Sequence, residues 1–333
     1  MSNKPPIEVP QGAIRLNTDS QKLEFFAQDR WYEMATETAT GLGGRAFRIG
    51  GGSGGNIIET WNIATEGNAI DTGFDLSTGT HSHASAGSRT RAVQAGGRGP
   101  SSPYPTINTI QYFEMTSISN SIDFGDLTGT QGRTAGVSNQ TRMVNGGGQG
   151  AVNTMNLITI QTTGDASDFG DLANAGRELT TGFESPTRGI IAGGNIATPS
   201  DVSQNAMDFV TFSTTGGAVD FGDLTIARYA PAGMSNNVRG AIAQGAGSNT
   251  KIIDFVTIAT TGNAQDFGEA QESGKSANAG FSSPIRCGFF GGYTPTSKIS
   301  VININQRSDS TYFGDLSQAG DYLGGMSDVH GGL

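Results

Sequence analysis

The chain contains little charge, few aromatic residues, one cysteine and no long apolar run. Of its 333 residues, 15% are charged and 8% aromatic, and the formal net charge is −10. An acidic chain lacks the basic surface that phosphate recognition requires, so we expect no nucleic-acid partner. No run of about 18 apolar residues occurs, so we expect no membrane span. The lone Cys287 excludes an internal disulfide framework and is expected to be a buried structural thiol.

The residue types that metal sites use are also scarce. The three histidines are His81, His83 and His330. His81 and His83 have the spacing of neighbours on one strand face, which would suit a pair of metal ligands. No third ligand lies near them in the sequence, so a loop between two repeats is the simpler interpretation. We therefore expect no metal and no cofactor.

Glycine is abundant, with 51 residues, and a short motif recurs along the chain. The motif is Asp-Phe-Gly-Asp-Leu, and its copies are Asp123–Leu127, Asp168–Leu172, Asp220–Leu224, the weaker Asp266–Ala270 and Tyr312–Leu316, and an expanded copy ending at Leu76. A repeat of roughly 50 residues is typical of propellers and solenoids. The repeated carboxylates invite a calcium interpretation. Because they recur in nearly every unit, we favour a structural role in binding turn amides.

Two further patterns share this period. An arginine precedes a short apolar segment in each unit, at Arg45, Arg91, Arg142, Arg188, Arg239 and Arg286. We expect these arginines to bridge carboxylates or carbonyls of neighbouring strands. An alternating strand such as Phe209–Phe212 lies at a nearly constant distance before the pentapeptide, which predicts a hairpin of fixed register. Each unit thus has four strands, A to D, which is the size of a propeller blade.

The end of the chain repeats the start of a blade. Tyr322–His330 matches Pro231–Val238, a strand A, but no strand B follows it. The sequence therefore predicts an all-β fold in which residues 41–333 form a six-bladed β-propeller, closed when this segment becomes strand A of the first blade. A linear solenoid is the alternative. The double glycine after strand B resembles the kelch repeat, although only the first unit carries the tryptophan of kelch strand C, Trp61.

Residues 1–40 do not share the repeat and predict a small β-hairpin module. Such a module is too small to bury a stable core alone. We expect it to anchor the chain to a larger assembly, and the alternative is a cap on the propeller. The expected anchoring residues are Ile14, Leu16, Leu23, Phe25, Trp31 and Tyr32.

Residues 12–34 carry the pattern Gly-x-Ile-Arg-(Phe/Leu)-Asn-Thr-Asp-Ser-x-x-Leu-Glu, followed by a tryptophan. This segment resembles the start of virion structural proteins of tailed bacteriophages, notably marine and cyanobacterial phages, and the repeat at Thr260–Gly268 is similar to phage repeat proteins. The resemblance implies a non-enzymatic virion surface protein of the tail-fibre or adhesin type. It also implies contacts with capsid or tail proteins through the N-terminal module, and a homo-oligomer on the particle. A capsid-decoration or head-fibre protein and a cellular kelch-type interaction scaffold remain alternatives.

The connections between strands indicate where a ligand would bind. The B–C connections are long at residues 98–107 and 195–205, and the D–A connections on the same face vary in sequence. Variable loops on a rigid scaffold usually carry binding, here of a host surface glycan or protein. The candidate residues are Arg98, Tyr104, Asn195, Asn205, Arg228 and Tyr229. A propeller hydrolase would need unique carboxylates near the centre, and because none is evident we expect no enzyme.

Overall fold

A computed structural model gives the fold. It describes residues 10–17, 22–28, 30–33, 44–52, 55–150, 152–196, 201–247, 251–272 and 275–333. The chain divides into two compact units, Met1–Gly43 and Gly44–Leu333. The boundary expected between residues 40 and 41 lies outside the described residues. No helix in the described ranges is long and apolar enough to cross a membrane.

The first unit contains a three-stranded antiparallel sheet. Its strands are β1 (Ile14–Asn17), β2 (Lys22–Ala27) and β3 (Arg30–Glu33), in the order β1-β2-β3. A cluster of side chains packs on one face of this sheet. The Arg15 guanidinium lies 4.1 Å from the centre of the Trp31 ring and forms an ion pair with Glu24 at 2.7 Å. Phe26 packs edge-on against Trp31, with the ring centres 5.3 Å apart. Local side-chain contacts thus stabilise this sheet.

The second unit is a six-bladed β-propeller, as predicted. Its strands are β4 (Arg45–Gly51), β5 (Gly55–Asn62), β6 (Ile70–Asp75), β7 (Ala84–Gly87), β8 (Arg91–Ala95), β9 (Thr109–Glu114), β10 (Ile122–Asp126), β11 (Ala135–Ser138), β12 (Arg142–Gly146), β13 (Thr154–Thr159), β14 (Ser167–Asp171), β15 (Thr181–Glu184), β16 (Arg188–Ala192), β17 (Asn195–Ile196), β18 (Val202–Ser203), β19 (Ala206–Thr211), β20 (Val219–Asp223), β21 (Arg228–Tyr229), β22 (Ala232–Ser235), β23 (Arg239–Ala243), β24 (Ala246–Gly247), β25 (Ile252–Thr257), β26 (Gln265–Glu269), β27 (Ala279–Phe281), β28 (Arg286–Phe290), β29 (Thr296–Asn303), β30 (Thr311–Gly320) and β31 (Gly324–Ser327).

The blades are antiparallel four-stranded sheets, each running from an inner strand A to an outer strand D. Blades 1 to 6 have the strand orders β31-β4-β5-β6, β7-β8-β9-β10, β11-β12-β13-β14, β15-β16-β19-β20, β22-β23-β25-β26 and β27-β28-β29-β30. The short pairs β17-β18 and β21-β24 lie in the connections. The relation to kelch repeats stays a prediction.

The last strand closes the ring. Strand β31 pairs antiparallel with β4, with Gly324 opposite Ile49 and Ser327 opposite Ala46. The six inner strands contact one another around the ring, and β31 lies between β27 and β7. The prediction that Tyr322–His330 supplies strand A of the first blade is therefore confirmed, and the inner strands have no free edge.

The recurring pentapeptide joins each blade to the next. In blade 2 its Phe124 is buried, and a β-bulge occurs between Asp123 and Gly125. The bulge brings strand D against the C–D turn of blade 3, whose Gly164 N–H donates to the Phe124 carbonyl at 2.7 Å. The Asp126 N–H donates to the Asp165 carboxylate at 3.0 Å. The motif thus joins the two blades mainly through its backbone groups.

The arginine ladder also links blades, as expected. Arg142 Nη1 donates to the Phe212 carbonyl of the next blade at 2.7 Å. Equivalent bonds run from Arg91, Arg188, Arg239 and Arg286 to carbonyls of the blades that follow them. In blade 1, Arg45 instead pairs with Asp328, with Nε and Oδ2 3.2 Å apart. Carbonyls, rather than carboxylates, are therefore the main partners.

The hydrophobic core lies between adjacent blades rather than in one central mass. One cluster, for example, joins Ala84 and Val93 of blade 2 to Met143 and Ile158 of blade 3. Cys287 belongs to such a cluster and is fully buried, and burial raises the pKa of its thiol to about 12. This confirms that Cys287 is a structural residue.

Candidate functional site

Six equivalent residues form a ring at the face where the B–C and D–A connections emerge, which we call the upper face. Each lies at the start of strand A and has a positive φ; they are Ser82, Arg133, Leu179, Ala230, Ala277 and Tyr322. Each N–H donates to the carbonyl of the equivalent residue in the preceding blade, with N···O distances of 2.6 to 3.0 Å, and the Ser82 N–H closes the circle on Tyr322. A positive φ is uncommon outside glycine. Here all six residues adopt it in the closed circle, which we call the upper ring.

Inside the upper ring, the inner strands approach one another so closely that most carry glycine at their midpoints. The midpoint residues are Ser85, Gly136, Gly182, Gly233, Gly280 and Gly325. A methyl group added at Gly325 would lie 2.5 Å from the Gly280 carbonyl oxygen and 2.9 Å from the Ala279 methyl group. These strands enclose a narrow channel of about 100 Å³, and most of its exposed wall is polar.

The lower end of the channel is covered by the chain itself. Residues 328–333 follow β31 and run beneath the inner strands, where His330 is buried. His330 Nε2 lies 3.0 Å from the Gly87 carbonyl oxygen, and Nδ1 lies 2.7 Å from Glu184 Oε1. At this level the other four inner strands carry serine, at Ser138, Ser235, Ser282 and Ser327. The two inner strands without serine at this level carry Gly87 and Glu184, the two residues that bind His330. Because His330 covers the lower end, the channel opens towards the upper face.

An aromatic row crosses the upper face, and one of its members, Tyr322, lines the mouth of the channel. Tyr104, His81, Tyr322 and Tyr293 follow one another across the upper face, with ring centres 5.5, 6.1 and 6.3 Å apart. Tyr293 is 57% exposed, whereas His81 is buried between its neighbours. The row joins the B–C connections of blades 2 and 6 to the D–A connections between them. Through Tyr322 the row reaches the mouth of the channel.

The charged groups beside the opening have partners of their own. Arg133 Nη1 lies 2.6 Å from Glu178 Oε1, and that carboxylate also accepts from the Gly150 N–H at 3.1 Å. Burial lowers the pKa of His83 to about 3 and that of His81 to about 4, so both rings are neutral at pH 7. Burial also raises the pKa of the Tyr322 hydroxyl, and the Arg133 guanidinium opposes that shift.

Several polar atoms around the channel have no protein partner among the described residues. His83 Nε2 and Ser85 Oγ are buried and unpaired, and so are Thr134 Oγ1, Thr180 Oγ1 and Asn278 Oδ1. All five residues line the channel. A methyl group added at Gly324 would overlap both His83 Nε2 and Ser85 Oγ, so these two atoms lie close together against the Gly324 backbone. Buried polar groups are nearly always satisfied, so water or a ligand group is expected here.

The candidate residues from the sequence fall into two groups. Arg98 and Tyr104 lie together on the upper face, where Arg98 Nε donates to the Tyr104 carbonyl at 3.0 Å. Tyr229 and Asn205 are half-buried in connections of the same face. The structure brings Tyr104 into the aromatic row, but none of the four lines the channel.

Two candidates are buried instead. Arg228 is 1% exposed, and its Nη2 pairs with Asp254 at 3.0 Å. Asn195 is 4% exposed and donates to Asp201 at 2.9 Å. Their side chains hold the connections in place and are not displayed on the surface. Arg177 pairs with Asp208 in the same way in the preceding blade.

The expected anchoring residues lie on the sheet of the first unit. Ile14 and Leu16 are 65% and 61% exposed, and Trp31 and Tyr32 are half-buried. The backbones of Leu23 and Phe25 pair with Leu16 and Ile14, while their side chains lie outside the described part of the chain. Tyr32 bonds to Arg30 at 2.8 Å.

The most distinctive residues of the opening were not among the sequence candidates. Tyr322, His83 and Ser85 occupy positions at which other blades carry Ala277, Thr134 and a glycine. Aligning the six repeats would have identified them as departures from a pattern. Within the described ranges, no group of three or more His, Cys, Asp or Glu side chains could hold a metal ion. No protein-family model matches this chain, and no curated protein matches it in a sequence search.

Proposed function

We propose that this protein is a non-enzymatic adhesin of the tail-fibre type on the surface of a phage virion, and that its propeller binds a host surface glycan with the upper face. The observation that carries the binding proposal is the opening of the channel. Tyr322 of the aromatic row lines its mouth, while His330 covers the opposite end. A one-ended channel on a rigid ring is typical of ligand-binding sites.

The virion assignment rests on the phage-like segment at residues 12–34. The small sheet of the first unit displays Ile14 and Leu16, which suits attachment to capsid or tail proteins. In this proposal the first unit docks the chain to the particle, where several copies assemble, and the propeller is left exposed. Binding rather than catalysis fits the opening, because Glu178 is already paired with Arg133.

The binding proposal is tested with fluorescently labelled full-length protein on host cells. We expect saturable binding that Tyr322→Ala weakens, because Tyr322 lies in the aromatic row. Alanine occupies the equivalent position at Ala230 and Ala277, so the variant should fold. Tyr312→Asp is the matched control, since Tyr312 lies on outer strand β30, where other copies of the pentapeptide carry Asp. No binding of wild-type protein would refute the proposal.

The location is tested with gold-labelled antibody against residues 41–333 on intact virions. Label on the tail or its fibres supports the adhesin. Label over the head favours the alternative of a decoration or head-fibre protein, and unlabelled virions would contradict the virion assignment. A reducing-end assay on host polysaccharide should detect no cleavage.

A further inference from the structure

The depth of the opening limits what can enter it. His83 and Leu323 line both the mouth at the upper ring and the channel beneath, so the two form one continuous space. The channel encloses about 100 Å³, room for a few water molecules or for one small branch of a larger molecule. A ligand would therefore remain largely on the upper face and send a single group inwards.

The polar atoms of the channel indicate the chemistry of that group. His83 Nε2 and Ser85 Oγ lie close together against Gly324, in residues that line the channel, with no protein partner among the described residues. The His83 ring is fixed by a 3.0 Å contact between its Nδ1 and Thr80 Oγ1, which orients Nε2. A hydroxyl group both donates and accepts, so one hydroxyl can satisfy an imidazole nitrogen and a serine together.

The charges indicate that this group is neutral. His83 is uncharged at pH 7, and the other described residues that line the channel carry no charge. At the mouth above it, Arg133 pairs with Glu178. A charged group moved into a narrow channel would lose hydration without gaining an ionic partner. A hydroxyl does not carry that penalty.

The aromatic row supplies the second half of the site. Tyr322 lines the mouth, and the largely exposed Tyr293 ring packs against it, with the ring centres 6.3 Å apart. Aromatic rings provide a broad apolar surface with a polar edge. The ring carbons of a sugar present C–H groups on one face and hydroxyls around the rim, so a sugar can use both surfaces at once.

We propose that the upper opening binds the uncharged terminal sugar of a glycan, which packs against Tyr322 and inserts one hydroxyl-bearing group between His83 and Ser85. This inference rests on the proposed function and names its ligand class. Tyr322 and His83 come from the D–A connections before blades 1 and 2, Ser85 lies on β7 of blade 2, and no other blade carries the same set. The proposed binding residues therefore lie on one side of the six-bladed ring.

The test uses full-length protein on a printed panel of oligosaccharides with neutral, uronic-acid and sulfated ends. We expect binding to oligosaccharides with neutral terminal sugars. Dissociation constants for the best of these then compare wild-type protein with three variants. Each variant introduces a residue found at an equivalent position, so folding is preserved: Ser85→Gly, His83→Thr and Tyr322→Ala.

We expect Ser85→Gly and His83→Thr each to weaken binding about fivefold, the effect of one neutral hydrogen bond. Tyr322→Ala should weaken it about tenfold through the lost ring contact. Tyr312→Asp, on outer strand β30, should leave the affinity unchanged. A normal unfolding temperature for each variant ensures that folded proteins are compared.

Three outcomes would overturn the inference. Unchanged affinity in Ser85→Gly and His83→Thr would mean that the channel holds water only. Binding restricted to acidic glycans, or host-cell binding that protease treatment of the cells abolishes, would refute a neutral sugar while leaving an adhesin in place. Absence of binding to the panel and to host cells alike would refute the adhesin as well.

Discussion

The substitution Gly325→Ala tests whether β31 closes the ring, because it adds one methyl group where β31 should contact its neighbour. Gly325 lies at the midpoint of β31, and its backbone faces the neighbouring strand β27. The added carbon would lie 2.5 Å from the Gly280 carbonyl oxygen, 2.9 Å from the Ala279 methyl group and 3.0 Å from the Phe290 ring. These neighbours exist only if the last strand occupies its place in blade 1.

The size of the effect follows from the overlap. An ordinary contact between a methyl carbon and an oxygen needs about 3.4 Å, so β31 or β27 must move by roughly 1 Å. Each inner strand is held on both sides in the closed ring, so neither strand can move freely. Overpacking of this kind costs about 2 kcal/mol, which should lower the unfolding temperature by roughly 3–4 °C for a unit of this size.

The measurement is thermal unfolding of the full chain, followed by circular dichroism at one scan rate. Gly129→Ala is the matched control, because an added methyl group there would meet nothing within 4 Å. It should change the unfolding temperature by about 1 °C or less. If Gly325→Ala also unfolds at the wild-type temperature, β31 does not lie where the structure places it and the reasoning fails.

Three further predictions concern buried groups. Asp254→Asn leaves the Arg228 guanidinium buried without its counter-ion and should lower the free energy of unfolding in urea by about 3 kcal/mol. His83 has a pKa lowered to about 3 when folded against 6.5 when unfolded, so its contribution is complete above pH 6.5 and declines as the pH falls towards 3. Between pH 7 and pH 5, wild-type protein should therefore lose about 2 kcal/mol more than His83→Thr. Cys287, whose thiol pKa is raised to about 12 by burial, should react with a thiol reagent only after unfolding in guanidinium.

Each of these has an outcome that contradicts it. Glu272→Gln, which removes the half-buried partner of the exposed Lys298, is the control for the buried pair and should change stability little. Equal losses in Asp254→Asn and Glu272→Gln would show that Arg228 is not buried. Parallel pH curves for wild-type protein and His83→Thr would mean that His83 titrates normally. Rapid modification of Cys287 in folded protein would place its thiol at the surface.

The architecture could be predicted because the same sequence patterns recur in each blade. The pentapeptide and the arginine ladder recur six times or nearly so, and each forms hydrogen bonds with the next blade, as the Arg142 side chain does with the Phe212 carbonyl. The strand A at Tyr322–His330 has no strand B after it, and the first blade lacked a strand A. Its pairing with β4 confirms the closed ring. Repetition averages out local ambiguity, which is why strand order and register were both accessible.

The site was less accessible, because exposure depends on partners that are distant in sequence. Arg228 was predicted to lie on the binding face, but its side chain is buried in an ion pair with Asp254 on strand C. In the same way, the role of His330 depends on Gly87 and Glu184, which come from blades 2 and 4. Such partners meet only when the ring closes. The positive φ values of the upper ring are likewise a property of six blades together.

The most direct test of this account is a crystal structure of the full chain bound to an oligosaccharide released from the host surface. The account predicts a terminal sugar against Tyr322, with one hydroxyl group within hydrogen-bonding distance of His83 Nε2 and Ser85 Oγ. Sugar bound on the outer strands or on the lower face beside His330, with only water in the channel, would contradict it.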